Sequence, residues 1–530
     1  MMKIRFIAPV LLLLSLSMTA QTHISIDDPT TWSSAVLSPY VGQEVIFDVP
    51  MIVCTNANGN YSVSPWRKFQ PENQGFIGTA EYNETVRINS SCMFSLGGVS
   101  GYHRCGEKIY NLRATVNSAT SLTMKGGTWN GNTRTDLEKG LPDLGNYRLL
   151  VCGFNLENYF VANMGSMGAK NYSEHQDQRA KVSKALMKIN ADIFGLVELE
   201  QGNDAIGEIV SDLNKNIPGR NYKYFSEGAS GAFQKTDYVY DANKVEPIGT
   251  PAGSDVEVQN RKKMVCFREL ATGEKFIYSI NHFKAMNTGG ADRRENEARA
   301  VIKLYNSYRQ NANIRENDLL VMGDLNCYAK TAPISVFTNN GMIDLHRSFH
   351  ADSSYSYMFS GLASYIDHAI CNEALYRQIT GMAAYHINSD EDDKYTYDKS
   401  SDRTMFRCSD HDPVMVGLAL DSTLSQSFEP YVSTADMSAD SLAFYYIYTT
   451  NEDPMVYFDI YSINGLPICS PKPIVYEGDL LEKHAKYYTL KSENPNLPDE
   501  VKAFLPLPAG IYILHFYYKG TVASHKLIVR

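Results

Sequence analysis

Between positions 146 and 421, two patterns of hydrophobic residues alternate along the chain. Short continuous apolar runs predict buried strands, and stretches with apolar residues three and four positions apart predict amphipathic helices. The predicted strands cover 148–152, 193–197, 276–280, 319–322, 365–370 and 414–420. Because strand and helix patterns alternate, this part of the chain is predicted to be one α/β domain.

Two helices of this domain are defined by their apolar stripes. The first is predicted from Gln178 to Ile189, and the second begins near Asp292, which with Glu295 has the spacing of a capping pair. The stripes consist of Val182, Ala185, Leu186 and Ile189 in the first helix, and of Ala298, Val301, Ile302, Tyr305 and Tyr308 in the second. Such stripes indicate core packing and carry no chemistry of their own.

Residues 21–142 have a different pattern. Short β-branched runs at 44–49 and 84–89 and turn signals such as Asn58-Gly59 predict an all-β region. The expected fold is a small five-stranded barrel of the oligonucleotide/oligosaccharide-binding kind. No group of catalytic residue types stands out in this region.

The end of the chain returns to a strand pattern after a polar linker at 422–435. Val456, Phe458 and Ile460 alternate with polar or aromatic neighbours, and the runs at 510–518 and 526–529 predict a hairpin. Residues 436–530 are therefore predicted to consist mainly of β-strands. With 530 residues in all, three domains are also what chain length alone favours.

Residues 1–20 have the pattern of an export signal. Lys3 and Arg5 precede an apolar run from Phe6 to Leu16, and Ala20 offers a small residue for cleavage. The apolar run is too short to span a membrane, which needs about 20 residues. The expected location is therefore outside the cell or on its outer surface, without a stable membrane span.

The cysteines change this picture little. The nine cysteines include no CxxC pair, so a structural zinc site is not expected. Export permits disulfides, and one pair among Cys54, Cys92 and Cys105 is compatible with their shared region. Cys327 lies among candidate catalytic residues, but a buried packing role is expected for it.

Polar residues of catalytic types follow the predicted strands of the central domain. These residues are Asn155, Glu198, His282, Asp324 with Asn326, Asp367, and Asp410 with His411. Each motif alone is more often a turn, a surface pair or a satisfied core residue. Residues at neighbouring strand ends converge on one edge of a sheet, however, so the ordered set predicts a single site.

The ordered set closely resembles the endonuclease/exonuclease/phosphatase superfamily. The matching stretches begin at Arg148 (RLLVCGFNLENYF), Ala191 (ADIFGLVELE), Asn281 (NHFK), Gly323 (GDLNCY), Tyr365 (YIDHA) and Ser409 (SDHDPV). Two further stretches, YSYMFSG from Tyr355 and HINSDE from His386, resemble the secreted bacterial nuclease branch. The resemblance covers about half of the chain. It implies a four-layered α/β sandwich of two packed sheets flanked by helices, and a metal-dependent phosphodiesterase.

The resemblance also implies roles. Glu198, Asn155 and Asp410 would bind Mg²⁺, with Mn²⁺ and Ca²⁺ as alternatives, because hard cations prefer oxygen ligands. His411 would orient or deprotonate the attacking water, and Asp367 would hold its imidazole.

Asp324 and Asn326 would position the nucleophile and the phosphate, and His282 would stabilise phosphoryl oxygens or protonate the leaving group. The general base is either the aspartate or the histidine. Some members place a carboxylate beside the first histidine. Gln234 stands at that position here, with Asp237 nearby, so the partner of His282 is open.

The net charge of −10 argues against a protein that binds nucleic acid tightly without turning it over. An enzyme that releases its products remains compatible with it. The leading interpretation is a secreted nuclease acting on DNA, RNA or both. The alternatives are a phosphatase or lipid phosphodiesterase of the same superfamily, and an inactive surface binding protein.

The C-terminal stretches at 460–465, 507–512 and 526–530 resemble a sorting domain of the type IX secretion route. This resemblance implies that residues 436–530 form a small β-sandwich that directs the protein across an outer membrane, in transient contact with secretion machinery. The alternative is a generic β-sandwich accessory module. The oligomeric state is not predicted.

Overall fold

A computed structural model describes most of the chain up to residue 421. The described residues are 22–25, 35–165, 167–227, 231–253, 261–286, 289–421, and beyond them 428–432, 441–448, 457–462, 467–473, 478–480, 485–491, 502, 507–508, 510–518 and 521–529. The predicted export signal at 1–20 lies outside them. Two compact units are present: Met1–Arg67 with Arg87–Asn132, and Lys68–Val86 with Thr133–Arg530. The predicted domain boundaries stay predictions.

The first unit contains one sheet. Its strands are β1 (Thr22–Ile24), β2 (Glu44–Phe47), β3 (Met51–Ala57), β4 (Asn60–Ser64), β5 (Phe94–Gly97), β6 (Lys108–Ser118) and β7 (Ser121–Asn130). The strand order is β1-β2-β6-β3-β4-β5-β7, and β6 also pairs with β7. Strands β3, β4, β5, β7 and β6 therefore pair in a closed ring. Alternate residues of these strands, such as Val53, Phe94 and Ile109, form one buried core.

The expectation that residues 21–142 are all-β is wrong. Helices α1 (Pro71–Gln74) and α2 (Ala80–Ser90) interrupt the strands, and residues 84–89 lie inside α2 rather than in a strand. The apolar residues Val86 and Ile88 alternate with polar ones, which mimics a strand. Alternation of apolar and polar residues indicates a strand only where one face is buried, and no residue of α2 is buried. Helical hydrogen bonds therefore determine the conformation of this segment.

The remaining helices and strands up to residue 421 belong to the second unit. The helices are α3 (Arg134–Lys139), α4 (Tyr172–Ile189), α5 (Asp204–Asn216), α6 (Ala291–Tyr308), α7 (Ala332–Asn339), α8 (Leu345–His350) and α9 (Glu373–Tyr376). The strands are β8 (Leu149–Tyr159), β9 (Ile193–Gln201), β10 (Tyr222–Tyr224), β11 (Gly231–Asp241), β12 (Val245–Gly253), β13 (Lys262–Glu269), β14 (Lys275–His282), β15 (Leu319–Asp324), β16 (Met342–Asp344), β17 (Tyr357–Phe359), β18 (Leu362–Ser364), β19 (Asp367–Asn372), β20 (Ile379–Ala384) and β21 (Val414–Leu418).

Two six-stranded sheets pack face to face in this unit. The first has the order β10-β11-β9-β8-β21-β20, and the second has the order β12-β13-β14-β15-β19-β16. One buried cluster takes residues from both sheets, including Val151 and Val197 of the first and Ile280 and Met322 of the second. Burial of this apolar surface on both sides holds the sheets together.

Helices cover the outer faces of both sheets. Residues of α4 and α5 pack on the first sheet, and residues of α6 and α7 pack on the second. The order helix, sheet, sheet, helix gives four layers. The prediction of a mixed α/β fold with several sheets and helices is confirmed. The six predicted apolar runs overlap β8, β9, β14, β15, β19 and β21, and the other strands of the two sheets lie outside those six runs.

The stripe of α4 is buried as predicted, and in α6 Ala298, Val301 and Tyr305 are buried while Ile302 and Tyr308 are partly buried. The helix starts differ from the prediction. Helix α4 begins at Tyr172 instead of Gln178, because the side chain of Asn171 caps it by accepting a hydrogen bond from the Glu174 amide. The capping pair proposed for α6 is wrong. Its N-cap is Gly290, whose left-handed φ of 83° lets the chain turn without a side-chain cap, and Asp292 lies inside the first turn.

The C-terminal described residues form two four-stranded sheets. Their strands are β22 (Phe428–Val432), β23 (Ser441–Tyr448), β24 (Tyr457–Ser462), β25 (Pro467–Pro473), β26 (Gly478–Leu480), β27 (Ala485–Lys491), β28 (Gly510–Tyr518) and β29 (Thr521–Val529). The orders are β22-β23-β27-β26 and β25-β24-β28-β29. Strands β28 and β29 pair antiparallel, which confirms the predicted hairpin. Among the helices that the structure describes, none is long and apolar enough to cross a membrane.

Candidate active site

The carboxyl ends of two parallel strand pairs carry most of the predicted site residues. Strands β8 and β9 run parallel in the first sheet and bring Asn155 opposite Val197, next to Glu198. Strands β14 and β15 run parallel in the second sheet and bring His282 opposite Asp324. Strand β19 runs antiparallel to β15 and places Asp367 opposite Asp324. Residues that are far apart in sequence thus meet where the two sheets end.

Asp324 is the most connected residue of the site. Its Oδ2 accepts a hydrogen bond of 3.1 Å from the Asn155 side-chain amide and one of 3.2 Å from that of Asn326. Its Oδ1 accepts the backbone N–H of Asn326 at 2.8 Å. Burial raises the pKa of Asp324 to about 7, although the nearby His411 opposes this shift, and the carboxylates of Asp367 and Glu198 add to it.

The glycine before Asp324 is required by the backbone. Gly323 has a φ of 119°, and a Cβ atom there would lie 2.1 Å from the backbone oxygen of Asn281 on the neighbouring strand. Only glycine allows β14 and β15 to approach so closely at this point. The Gly-Asp pair of the sequence motif therefore has a structural reason, which is to bring Asp324 against the end of β14.

His411 and Asp367 form a hydrogen-bonded pair. The Nδ1 of His411 lies 2.8 Å from Oδ2 of Asp367 and 3.0 Å from Oδ1. Oδ2 of Asp367 also accepts a hydrogen bond of 2.7 Å from the Ser356 hydroxyl. Burial opposes the charge on the imidazole, but Asp367 and Asp410 outweigh it and raise the pKa of His411 well above its ordinary value. The imidazole is therefore held in position and readily protonated.

The partner of His282 is Arg261, a residue that the sequence did not single out. One Nη atom of Arg261 lies 2.8 Å from Nδ1 of His282 and 3.0 Å from Nε2. Nε2 of His282 is also 3.5 Å from Glu198 and 3.7 Å from Asp324. The one available signal was the basic run at 261–263, which lies at the start of β13 beside the end of β14.

Both sequence candidates for that partner have partners elsewhere. Asp237 is fully buried and pairs with Lys235 at 2.8 Å and with Lys263 at 3.4 Å. The side-chain amide of Gln234 donates to Asn158 at 2.5 Å. Asn158 in turn donates its backbone N–H to Glu198 at 3.0 Å, so Gln234 supports the loop that holds Glu198.

Three acidic residues form the other side of the site. Burial raises the pKa of Glu198, and the nearby carboxylate of Asp410 raises it further. Glu157, which the sequence did not single out, has a buried Oε2 atom without a hydrogen-bond partner. Burial raises the pKa of Glu157 to about 8, and Asp410 and Glu198 both contribute. Protein cations compensate this cluster only partly.

The loops that carry these acids have unusual backbone conformations. Glu157, Asn158 and Glu198 have φ values of 54°, 58° and 63°, in the left-handed region that non-glycine residues rarely adopt. Such conformations cost about 1–3 kcal/mol each, and surrounding structure must hold them. Here the hydrogen bond from Asn158 to Glu198 and the hydrogen bond from the Glu157 amide to Asn155 hold the turn.

The residues present fit a hard divalent cation better than a structural zinc ion. Among the residues that the structure describes, no three His, Cys, Asp or Glu side chains are grouped to hold a metal ion alone. Magnesium, however, needs only one or two carboxylates and keeps several waters. The unpartnered oxygen of Glu157 and the raised pKa of Glu198 indicate that the ionised carboxylates lack compensating positive charge, which a cation would supply. Glu198, Asp410 and Asn155 would hold it, with Glu157 beside them.

Cys327 is buried in the apolar core under α6 and α7, as expected, and its thiol donates to the backbone oxygen of Leu325 at 2.8 Å. Burial raises the pKa of this thiol far above its ordinary range. A neutral buried thiol of this kind has no part in the chemistry of the site.

Comparisons with known proteins give structural likenesses at low sequence identity. No protein-family model matches the chain, and no curated protein matches it. The human Nocturnin catalytic domain with bound sulfate is similar at 14% identity and a TM-score of 0.37, covering 52% of this chain and 94% of that one. An endonuclease/exonuclease/phosphatase family protein from Bacteroides thetaiotaomicron has 17% identity and a TM-score of 0.36, covering 52% and 97%. D. rerio TDP2 complexed with a single-strand DNA product has 14% identity and a TM-score of 0.36, covering 51% and 99%.

Proposed function

We propose that the central α/β region is a divalent-metal-dependent phosphodiesterase that hydrolyses nucleic acid. The observation that carries the proposal is the convergence at one site of two imidazoles, a guanidinium and a group of carboxylates. Water and a phosphodiester would react to a phosphomonoester and an alcohol. The sequence motifs that resemble the endonuclease/exonuclease/phosphatase superfamily fall on these same residues, which supports the proposal.

The basic side chains would meet the anionic substrate. Arg261 is charged at all relevant pH values, and its planar guanidinium suits phosphoryl oxygens. His282 lies between Arg261 and the carboxylates, where it can stabilise a phosphoryl oxygen or protonate the leaving oxygen. A bound cation would add Lewis-acid polarisation of the phosphoryl group.

The attacking water would be handled on the side of His411. Asp367 fixes Nδ1 of His411, which leaves Nε2 to face the substrate, 3.8 Å from Asp410. The raised pKa of His411 makes it a strong base once it has lost its proton. Asp324, with a pKa raised to about 7, is the alternative base.

A substrate panel tests the proposal. Purified full-length protein is offered plasmid DNA, RNA, inositol phosphates and sphingomyelin, each with Mg²⁺, Mn²⁺, Ca²⁺ or a chelator. Cleavage of nucleic acid that the chelator abolishes, and that His411→Ala lowers by about 10²–10⁴-fold, is the expected result. Activity on the lipid or inositol substrates alone would instead indicate the alternative phosphoesterases, and no hydrolysis at all would indicate a binding protein.

We also propose that the first unit is an oligonucleotide/oligosaccharide-binding-like barrel. The closed ring of strands β3-β4-β5-β7-β6, with β5 and β7 parallel, supports this. Tyr110 on β6 is exposed and offers a ring for stacking. Full-length His411→Ala protein should bind an oligothymidylate more weakly when Tyr110→Ala is added. An unchanged affinity would count against this role.

Export is a further part of the proposal. The basic start, the apolar run at 6–16 and Ala20 support a signal peptide, and the C-terminal sequence supports a sorting domain that contacts secretion machinery. Mass spectrometry of the protein from culture medium should find Gln21 as the first residue. A protein retained in the cell with Met1 intact would contradict export.

A further inference from the structure

A short hairpin lies directly against the His411–Asp367 pair. It consists of β17 and β18, joined by Ser360 and Gly361, which both have left-handed φ values of 50° and 79°. Two consecutive left-handed residues form the tight turn that matches the twist of paired strands. The hairpin is thus a compact and well-defined element, not an open loop.

Several hydrogen bonds fix this hairpin to the site. The Ser356 hydroxyl donates to Asp367, and the backbone oxygen of Ser356 accepts from the amide of Asp412. On the other edge, the amide of Ala363 donates to Lys68 and its oxygen accepts from the amide of Gln70. Hydrogen bonds therefore hold the hairpin along both of its edges.

The face of the hairpin beside His411 is aromatic. The ring of Tyr357 lies 4.9 Å from the His411 ring between centroids, with 36° between the planes. Phe359 is two residues further along the same strand, so its side chain points to the same face. About 7 Å of extended chain separates the two positions. Tyr357 and Phe359 thus form a row of rings that leads outward from His411.

The ring of Phe359 is largely exposed and does not belong to a buried core. Its side chain is 59% exposed, and the hydrogen bonds that fix the hairpin to its surroundings come from Ser356 and Ala363. An exposed ring at the end of a fixed hairpin costs solvation without stabilising a core. Its position, one step beyond a ring that contacts His411, suits an apolar or aromatic part of the substrate attached to the reacting phosphate.

We propose that Phe359 and Tyr357 form a stacking platform for an unpaired nucleobase next to the scissile phosphate. This proposal rests on the proposed function. Every base offers a π face, so the platform would not read sequence. A base inside a duplex is stacked on its neighbours and unavailable, so the site would prefer single-stranded substrates over duplexes.

The test compares two chains of equal length and charge. One is an oligothymidylate, and the other is a phosphodiester chain of the same length with abasic tetrahydrofuran residues. With Mg²⁺ present, kcat/KM of the wild-type protein is expected to be about 5- to 100-fold higher on the oligothymidylate. The same oligothymidylate paired to its complement should be cleaved more slowly than the single strand.

Three variants test whether Phe359 causes the preference for the oligothymidylate over the abasic chain. Phe359→Ala should lose most of the ratio between the two chains, and Phe359→Trp should retain it because a ring is kept. Leu270→Ala is the matched control. Leu270 is also a large exposed apolar residue at 46% exposure, but it follows β13 at the opposite end of β14 from His282. It should leave the ratio unchanged.

The outcomes separate the two proposals. If Phe359→Ala keeps the wild-type ratio, or if the wild-type protein cleaves both chains equally, the platform is wrong while the phosphodiesterase proposal stands. If the wild-type protein cleaves neither chain with any metal, the platform proposal fails, and the substrate panel with RNA decides whether the phosphodiesterase proposal fails with it. Thermal unfolding of each variant shows whether a lost ratio comes with a lost fold.

Discussion

The side-chain amide of Asn155 donates a hydrogen bond of 3.1 Å to the carboxylate of Asp324, and this bond joins the ends of two different sheets. Asn155 belongs to β8 of the first sheet, and Asp324 ends β15 of the second. Both residues are buried, so the bond is made away from water, where its loss leaves an acceptor short of a donor. The site depends on how the two sheets are packed.

Asn155→Ala is expected to raise the pKa of Asp324 above its present value of about 7. A donated hydrogen bond favours the ionised carboxylate, so its removal favours the protonated form. If Asp324 must be ionised for turnover, the rising limb of the pH profile of kcat/KM moves to higher pH. Asn117→Ala, which removes an amide that bonds only within the first unit, is the control. If the rising limb does not move in Asn155→Ala, the hydrogen bond from Asn155 does not influence the pKa of Asp324.

Asp367→Asn is expected to lower the pKa of His411. Asp367 is the largest influence that raises this pKa, and burial alone would lower it. In the wild-type protein the His411 ring therefore stays protonated above pH 6.5. In the variant, the pKa of the ring is lower than in the wild-type protein. NMR titration of the His411 ring measures both values. The turnover should also fall, because the amide no longer fixes the tautomer. Equal titration curves would remove Asp367 from this role.

Glu157→Gln is expected to stabilise the metal-free protein at alkaline pH. The pKa of Glu157 is about 8 in the folded state, against 4.5 for an ordinary glutamate. Because the folded state holds the proton more tightly, stability falls as pH rises from about 4.5 to 8, and glutamine removes that loss.

Melting curves in EDTA should therefore show a higher melting temperature for Glu157→Gln at pH 9, by about 2–8 °C, and little difference at pH 4. A lower melting temperature for Glu157→Gln than for the wild-type protein at pH 9 would mean that ionised Glu157 has a stabilising partner in solution.

Mg²⁺ is expected to raise the melting temperature more at pH 8 than at pH 5. A cation that binds only the folded state stabilises it by mass action, and protons compete for the same carboxylates at low pH. Glu198→Gln should reduce the shift because it removes the principal proposed ligand. If Mg²⁺ shifts this variant as much as the wild-type protein, Glu198 does not bind the cation.

The sequence by itself determined the positions of six strands and two helices of the central region and the residue types of the site, and the other strands of the two sheets were not among them. Runs such as Leu319–Met322 are apolar because both sheet faces are covered, and that pattern can be read directly. The residues after each strand could be grouped because strand ends converge. The sequence missed α2, where alternation occurs without burial, and the start of α6, where a glycine conformation replaces a side-chain cap.

Only the tertiary structure decided which residues touch. Arg261 contacts His282. Asp237, which the sequence offered as a candidate partner of His282, pairs instead with two buried lysines. Glu157 becomes part of the acidic side because a left-handed turn directs it there, and Phe359 becomes part of the site because a tight hairpin packs Tyr357 on His411. Contacts of this kind depend on strand register, sheet packing and turn geometry. They are set by many weak interactions together, and no local pattern of residues encodes them.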